Sequence, residues 1–250
     1  RTPSTQAVAN AIVRARSLSF PMSITIKPHI DLYDGAWRAE ISPPDPAAWF
    51  DSYRTFIFEW VELAAAMDVE QFVIGTELAG TLEHESQWRE LIADIRAAYR
   101  GEITYAASWD ESALVPFWKE LDFIGVNFYA PLSGRLETGR FNILTAWQPW
   151  IERLRLLHKK AGRDVLITEI GYRSVDGAGM YPNDFNREAP VDFDEQADLY
   201  WGTLEALSPN PWVRGVLWWN WLAVSSGDEI TDYTPKNKPA EKELVDAWIR

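Results

Sequence analysis

The stretch DVLITEIGYR, residues 164–173, decides the fold class. Val165, Leu166 and Ile167 form an apolar run that suits a strand buried on both faces, as in parallel sheets covered by helices. Glu169 stands near the end of this run, although an ionised carboxylate is costly to bury unless it is paired or used. The stretch therefore predicts a strand that delivers a carboxylate to a cleft.

A second stretch, EQFVIGTELAG at residues 70–80, repeats the pattern. Here the apolar residues Phe72, Val73 and Ile74 precede Glu77. A single glutamate at a strand end is usually a cap, an ion-pair partner or a solvated side chain. Two strands that each end in a glutamate favour a shared functional site.

Short apolar segments alternate with amphipathic segments along the chain. The predicted strands are residues 23–28, 71–76, 103–108, 121–128, 164–169 and 214–221. The predicted helices are residues 4–17, 46–67, 86–99, 112–119, 147–161, 193–207 and 239–249. Asp45 and Pro46 mark a helix start and Gly162 marks a helix end, because these residue types favour N-cap, N1 and C-terminal positions.

This alternation, without a glycine-rich phosphate loop, predicts an α/β fold of the TIM (β/α)8 barrel type rather than a doubly wound sheet. Residues 1–250 then form a single catalytic barrel domain. Six strands are predicted, whereas this barrel has eight. The simplest expectation is that the first two strands lie upstream of residue 1, so that the domain is N-terminally incomplete. A departure from the standard barrel, or strands supplied from elsewhere, is the alternative.

Composition argues against several function classes. The chain has 14 Trp, 9 Tyr and 11 Phe, which supply rings for stacking on flat apolar faces such as those of sugars. A net charge of −13 without a Lys- or Arg-rich run argues against a nucleic-acid or membrane partner. Cysteine is absent, and the three histidines form no H-x-H or H-E-x-x-H motif, which disfavours a metal-dependent hydrolase. No apolar run reaches the ~20 residues of a membrane span.

Chemistry in a (β/α) barrel collects where the strands end at their carboxyl side. The side chains at the predicted strand ends are His29, Asp31, Glu77, Trp109, Asp110, Asn127, Tyr129, Glu169, Trp219, Asn220 and Trp221. Two carboxyl groups among aromatic and amide side chains are typical of a glycosidase. One protonates the departing glycosidic oxygen, and the other attacks the anomeric carbon or directs a water to it.

Several segments resemble the strand ends of retaining glycoside hydrolases of clan A, and most closely those of family 113, the family of β-mannanases. The segments are KPHIDLYDGAWRAEI (27–41), FVIGTEL (72–78), ITYAASWD (103–110), LDFIGVNFYAPL (121–132), ITEIGYRS (167–174) and GVLWWNW (215–221). The resemblance runs through nearly the whole chain and includes TPKNKPA at residues 234–240.

The resemblance implies an eight-stranded barrel with the acid/base after the fourth strand and the nucleophile after the seventh. It makes Glu77 the acid/base, Glu169 the nucleophile and residues 23–28 the third strand. Tyr129 is the expected hydrogen-bond donor to Glu169. Many clan members carry Asn before the acid/base, whereas this chain has Thr76, and family 113 is similar in lacking that Asn. A retaining mechanism implies carboxyl groups about 5–5.5 Å apart.

The remaining candidate substrate contacts each have a structural alternative. His29 contacts a sugar hydroxyl or a backbone carbonyl of the core. Trp37 is expected to face substrate, with a buried ring as the alternative, and its neighbour Arg38 is expected to form an ion pair. Trp109 stacks on a sugar or belongs to the core. Asn127 is more often structural at such a position.

The segment WWNW, residues 218–221, offers a further sugar platform. Strand alternation turns Trp218 to the side opposite Trp219 and Trp221, so one of the latter two is the expected platform. The segment 172–192, which follows Glu169, is expected to wall the cleft, and a mobile loop without a role in specificity is the alternative.

These patterns predict a retaining β-glycoside hydrolase that acts on β-1,4-mannan or a related hemicellulose, without a metal or organic cofactor. Its partner is an oligo- or polysaccharide substrate, which favours a secreted or cell-surface location. The alternatives are a catalytically inactive glycan-binding barrel of a larger protein, and a β-glucan or β-galactoside hydrolase of the same clan. Endo or exo action and the oligomeric state stay open.

Overall fold

The computed structural model describes residues 3–20, 22–136, 139–221 and 229–249. The chain forms two compact units, of which the first comprises residues 1–107 and 111–125 and the second comprises residues 108–110 and 126–250. In both units parallel strands alternate with helices along the chain. None of the described helices combines the length and the apolarity needed to cross a bilayer.

The first unit contains three helices and the parallel strands that they accompany. The helices are α1 (Thr5–Arg16), α2 (Pro46–Ala66) and α3 (Glu85–Ala98). The strands are β1 (Thr25–Ile26), β2 (Gln71–Thr76), β3 (Glu102–Ser108) and the first half of β4 (Ile124–Asn127). They lie in chain order, with Thr25 opposite Gln71 and Phe72 opposite Ile103. Strand β2 is thus held between β1 and β3.

Trp88 of α3 is the centre of the first unit's core. The ring is fully buried and contacts Phe50 and Tyr53 of α2, Tyr105 of β3 and Phe117. A Cβ atom on Gly75 of β2 would lie 2.8 Å from this indole, so only glycine lets the helix pack this closely on the strand. The packing fixes β2, which ends immediately before Glu77.

The second unit contains the end of β4, two further strands and three helices. The strands are β5 (Val165–Ile170) and β6 (Val213–Trp218), which pair in parallel. The helices are α4 (Arg140–Ala161), α5 (Phe193–Leu207) and α6 (Pro239–Ile249). Arg140 of α4 donates to Asp198 of α5 at 2.6 Å and to Glu243 of α6 at 2.7 Å, which ties the three helices together.

The predicted fold class is confirmed. The described residues contain six parallel strands that alternate with helices, two strands fewer than the eight of a complete TIM barrel. Helix α2 starts as expected, because Asp45 Oδ1 accepts the Ala48 N–H at 3.1 Å and Pro46 occupies the first turn. Gly162 ends α4 in the left-handed conformation, with φ of 66°, which glycine adopts at little cost.

The helix predicted at residues 112–119 is wrong. The segment forms turns and ends in a short 3-10 helix, Trp118–Glu120. Pro116 has no N–H for an α-helical hydrogen bond. The Trp118 indole N–H instead donates to the Ser112 carbonyl at 2.8 Å, which folds the segment back on itself.

Four other elements differ from their predicted bounds by two residues or more at one end, and one of them, β6, ends at Trp218 rather than at residue 221. Helix α4 begins at Arg140 rather than at residue 147, so that Pro149 lies inside the helix and not in its first turn. Strand β1 has only two residues and β4 only four, although residues 23–28 and 121–128 were predicted as strands. The apolar character of those segments continues beyond the ladder hydrogen bonds, so hydrophobicity overstates strand length.

Candidate active site

Glu169 lies at the carboxyl end of β5 and is half-buried. The Tyr129 hydroxyl donates a hydrogen bond to Glu169 Oε1 at 2.7 Å. The Glu169 backbone carbonyl accepts the Phe128 N–H at 2.6 Å, which fixes the residue beside the end of β4. The hydrogen bond that the sequence led us to expect is therefore present. Such a donor favours the ionised form of a carboxylate, as a nucleophile requires.

Asn127 lies beneath this pair and is only 1% exposed. Its amide oxygen accepts a hydrogen bond from the Thr168 hydroxyl at 2.9 Å. This contact joins β4 to β5. Asn127 directly precedes Phe128 in the sequence, and Thr168 directly precedes Glu169. The burial and the contact favour the structural alternative for Asn127 over direct binding of substrate.

Tyr233 lies near Glu169 and is not among the site residues predicted from the sequence. Burial raises the pKa of its phenol to about 12, the positive charge of Arg173 opposes this rise, and the negative charges of Asp184 and Glu169 add to it. The hydroxyl donates to the Pro182 carbonyl at 3.0 Å, so the ring joins the Glu169 surroundings to the segment 172–192. The only sequence signal was its position directly before TPKNKPA.

Gly171 allows the backbone of Trp219 to lie close to the chain just after β5. A Cβ atom at this position would lie 1.9 Å from the Trp219 carbonyl oxygen and 3.1 Å from the Tyr233 ring. The Trp219 N–H also donates to the Ile170 carbonyl at 2.6 Å. Any larger residue at position 171 would push Trp219 away from β5.

The segment 172–192 is held by hydrogen bonds along its length. Arg173 donates to the carbonyls of Thr231 and Arg187, and Ser174 receives a hydrogen bond from the ammonium of Lys238 at 2.9 Å. A bridge joins Val175 to Val191. These contacts favour a fixed wall over the mobile-loop alternative.

Glu195 of α5 accepts hydrogen bonds from the backbone of the same segment. Its carboxylate oxygens accept the backbone N–H groups of Gly177 at 2.7 Å and Gly179 at 3.0 Å. Asp176, Asp192 and Glu195 are the carboxylates among the described residues that lie close enough to share a metal ion. Because the Glu195 oxygens already accept hydrogen bonds, we assign this cluster a role in holding the loop. The expectation that the protein needs no metal stays a prediction.

Burial raises the pKa of the Glu195 carboxyl, with Asp192 and Asp176 adding to the rise and the Gly179 and Gly177 N–H groups opposing it. The folded state therefore binds more protons than the unfolded state at pH values between the ordinary pKa of 4.5 and the raised one. In that window the free energy of unfolding falls as the pH rises. We expect Glu195→Gln to flatten this dependence.

Urea denaturation at pH 5 and pH 8 measures the effect. The difference in the free energy of unfolding between wild type and Glu195→Gln should favour wild type more at the lower pH. Glu188→Gln, which changes an exposed glutamate of the same segment, should leave the pH dependence of the wild type. An unchanged dependence in Glu195→Gln would contradict the assignment.

The tryptophans of WWNW separate as alternation predicts. Trp218 stacks on Tyr200 of α5, with ring centroids 4.0 Å apart. Trp219 and Trp221 are exposed, at 40% and 50%. Trp218 therefore belongs to the helix-facing side, and the other two rings stay available as candidate sugar platforms.

Trp109 follows β3 and is half-buried. Its ring meets Trp150 of α4 edge to face, with centroids 5.0 Å apart. Trp150 in turn contacts Phe128 and lies under the Arg153 guanidinium. One side of Trp109 is thus part of the core, which leaves at most part of its ring for a sugar.

Glu77 lies directly after β2 in the first unit, and its backbone is tightly held. Its φ is 52°, in the left-handed region that residues other than glycine rarely adopt. Its N–H donates to the Ala106 carbonyl at 2.9 Å, and the next N–H, of Leu78, donates to the Tyr105 hydroxyl at 2.6 Å. The side chain is 13% exposed.

Arg38 contacts the Glu77 carboxylate. Its Nη1 donates to Glu77 Oε2 at 3.0 Å, its Nη2 to Asp31 Oδ1 at 2.9 Å and its Nε to the Ile30 carbonyl at 2.7 Å. The sequence predicts an ion pair for Arg38 but does not identify its partner. The carboxylate partners are Asp31 and the candidate acid/base Glu77 itself.

Two further predicted residues lie in loops of the first unit, and Thr76 directly precedes Glu77 at the end of β2. His29 is half-buried after β1, and Trp37 is 46% exposed. Thr76, which stands where many clan members carry Asn, is buried and donates its hydroxyl to the Pro28 carbonyl at 3.0 Å. The Thr76 side chain thus anchors the loop that carries His29.

The family model of glycoside hydrolase family 113 matches residues 1–238. The chain belongs to glycoside hydrolase family 113. As a member of this family it is a glycoside hydrolase that acts on O-glycosyl bonds of a carbohydrate substrate. None of the curated proteins compared with it matches.

Solved structures of the family resemble this member over its length. A GH113 β-1,4-mannanase is 27% identical, with 98% of this chain and 79% of the mannanase covered and a TM-score of 0.86. The GH113 β-mannanase AaManA from Alicyclobacillus acidocaldarius, solved in complex with ManMIm, is 28% identical, with 98% and 77% covered and a TM-score of 0.85. A Faecalibacterium prausnitzii β-glucuronidase, at 12% identity with 80% and 35% covered and a TM-score of 0.60, shares the fold alone.

Proposed function

We propose that this family 113 hydrolase cleaves β-1,4-mannan or a related hemicellulose by a retaining double displacement through Glu169 and Glu77. The hydrogen bond of 2.7 Å from Tyr129 to Glu169 carries the proposal. It gives the carboxyl at the end of β5 the donor that an ionised nucleophile requires. The similarity to solved β-mannanases of the same family supports the choice of polymer.

In the first step the Glu169 carboxylate attacks the anomeric carbon. The bond from that carbon to the glycosidic oxygen breaks, and Glu77 gives its proton to the departing oxygen. The products are a glycosyl ester of Glu169 and the leaving saccharide, whose oxygen is now a hydroxyl group. The general acid is needed because an alkoxide is a poor leaving group.

In the second step a water molecule attacks the anomeric carbon of the ester. Glu77, now a carboxylate, takes a proton from this water, and Glu169 leaves as a carboxylate. Both glutamates return to their starting states, and the sugar keeps its β configuration after two inversions. The side chains proposed to contact the sugars are His29, Trp37, Trp109, Trp219 and Trp221.

The Tyr129 hydroxyl is proposed to fix the orientation of the Glu169 carboxylate. We expect Tyr129→Phe to lower kcat/KM by about 10- to 100-fold, because a hydrogen bond to a charged group contributes roughly 1.5–3 kcal/mol. Steady-state kinetics on an aryl β-mannoside measures the change.

Tyr99→Phe is the matched control, since it removes a hydroxyl that donates to the Val69 carbonyl before the start of β2. It should leave kcat/KM unchanged. Wild-type kinetics in Tyr129→Phe would contradict the role given to this hydrogen bond.

Reducing-sugar release from a panel of mannan, glucomannan, xylan, β-glucan and galactan tests the proposed substrate. The full-length protein should release sugar from mannan or glucomannan, and its Glu169→Ala variant should not. Release from β-glucan or galactan alone would replace the proposed polymer with that one. If the folded protein releases no sugar from any of these polymers, the result would favour a glycan-binding barrel instead.

A further inference from the structure

Arg38 joins three groups of the first unit through separate N–H donors. It reaches the Ile30 carbonyl, the Asp31 carboxylate and the Glu77 carboxylate. The side chains of Arg38 and Glu77 are only 18% and 13% exposed, whereas that of Asp31 is 89% exposed. Solvent therefore screens the contact to Asp31, and the contact to Glu77 is the protected one.

The guanidinium of Arg38 restricts which carboxyl oxygen of Glu77 can carry the proton. Arginine stays protonated and offers five N–H donors but no acceptor. In a protonated carboxyl group the oxygen without the proton is the better acceptor. The Arg38 Nη1 contact is to Glu77 Oε2, so this geometry favours the proton on Oε1.

The backbone of Glu77 leaves the side-chain torsions as its remaining freedom. Its left-handed φ and the hydrogen bonds of Glu77 and Leu78 to Ala106 and Tyr105 fix the direction of the Cα–Cβ bond. The contact from Arg38 restrains the carboxyl group at the other end of the side chain. Arg38 is itself anchored to the backbone at Ile30.

We propose that Arg38 is a positioning residue for the acid/base. It holds Glu77 Oε2 as an acceptor and so assigns proton transfer to Oε1 in both chemical steps. The inference rests on the proposed function, in which Glu77 protonates the departing oxygen. A misplacement of about 1 Å in a catalytic group can cost about 10²-fold in rate, which sets the size of the expected effect.

Arg38→Met tests the proposal because it keeps an unbranched apolar stem and removes all the N–H donors. We expect kcat/KM for an alkyl or phenyl β-mannoside to fall by about 10²-fold. The fall for a 2,4-dinitrophenyl β-mannoside should be far smaller, because that leaving group departs without a proton. The slope of log kcat/KM against leaving-group pKa therefore becomes steeper.

Arg96→Met is the control for a merely structural role. Arg96 of the same unit donates to Asp122 at 2.7 Å and to the Glu120 carbonyl at 3.1 Å, before the start of β4. This variant should lower stability without changing the slope. Added methylguanidinium should partly restore Arg38→Ala on poor leaving groups and leave its activity on the dinitrophenyl substrate unchanged.

The outcomes separate the two proposals. Equal losses on good and poor leaving groups in Arg38→Met would overturn the positioning role while the proposed function stands. An inactive wild type on every glycoside would overturn the proposed function, and the positioning role with it. If Arg38→Met does not fold, Arg38→Lys decides by the same slope, because an ammonium group lacks the planar fork that serves the three acceptors.

Discussion

Replacement of Glu169 by alanine is expected to lower kcat by roughly four orders of magnitude or more, the scale seen when a covalent nucleophile is removed. The covalent glycosyl intermediate cannot form without the carboxylate. The fold should persist, because Glu169 is half-buried at the end of β5 and its apolar neighbours in the strand are unchanged. Initial rates on an aryl β-mannoside, together with circular dichroism, measure both points.

Azide sharpens the Glu169→Ala experiment. The small anion can enter the space of the lost carboxylate and attack an activated β-mannoside from the α face, giving the α-mannosyl azide. Glu169→Gln, which keeps an acceptor for Tyr129 but no negative charge, should be equally slow and gain nothing from azide. Turnover of Glu169→Ala close to wild type would refute the nucleophile assignment.

Replacement of Glu77 by alanine is expected to produce a loss that depends on the leaving group. On mannan or alkyl mannosides the rate should fall by about 10²- to 10⁴-fold, the usual contribution of a general acid. On a dinitrophenyl mannoside the first step needs no proton, so a burst of phenolate should precede slow turnover. Stopped-flow absorbance resolves the burst from the slow phase.

Azide gives the opposite stereochemistry in this variant. In Glu77→Ala it intercepts the glycosyl ester of Glu169 from the β face, so the product should be the β-mannosyl azide. Glu83→Ala, which removes a glutamate whose side chain is 72% exposed in the same unit, should retain wild-type kinetics. Equal losses on good and poor leaving groups in Glu77→Ala would argue against an acid role.

Features carried by a single element were predictable from the sequence. Helix α5 and helix α6 have the predicted bounds, because Asp192 and Pro239 mark their starts. Strand β2 also has its predicted bounds, since its apolar run stops where the polar residues after it begin. Alternation correctly turned Trp218 away from Trp219, because the two are successive residues at the end of one strand.

Contacts between segments that are distant in sequence were harder to predict. Arg38 and Glu77 are 39 residues apart in sequence, and periodicity within one element does not show which loop meets another. Tyr233 was missed for the same reason. Tyr129 was found because the family resemblance supplied its role.

Burial on both faces hid the orientation of some residues. All four residues of β4 are buried, so alternation cannot separate a side chain that faces a cleft from one that faces the core. Asn127 belongs to this group, and its amide contacts Thr168 within the sheet. The weak periodicity of 112–119 misled for a different reason, since Pro116 broke a helix that side-chain spacing alone allowed.

The most direct test of the account is to identify the residue that carries the glycosyl intermediate. Incubation with 2-deoxy-2-fluoro-β-mannosyl fluoride should trap the intermediate, since the fluorine at C2 slows both chemical steps and fluoride still leaves readily. Proteolysis and tandem mass spectrometry should then find one fluoroglycosyl group, on Glu169 in the peptide that contains ITEIGYR. Labelling of any other residue, or an active protein that is neither labelled nor inactivated, would contradict the double displacement through Glu169.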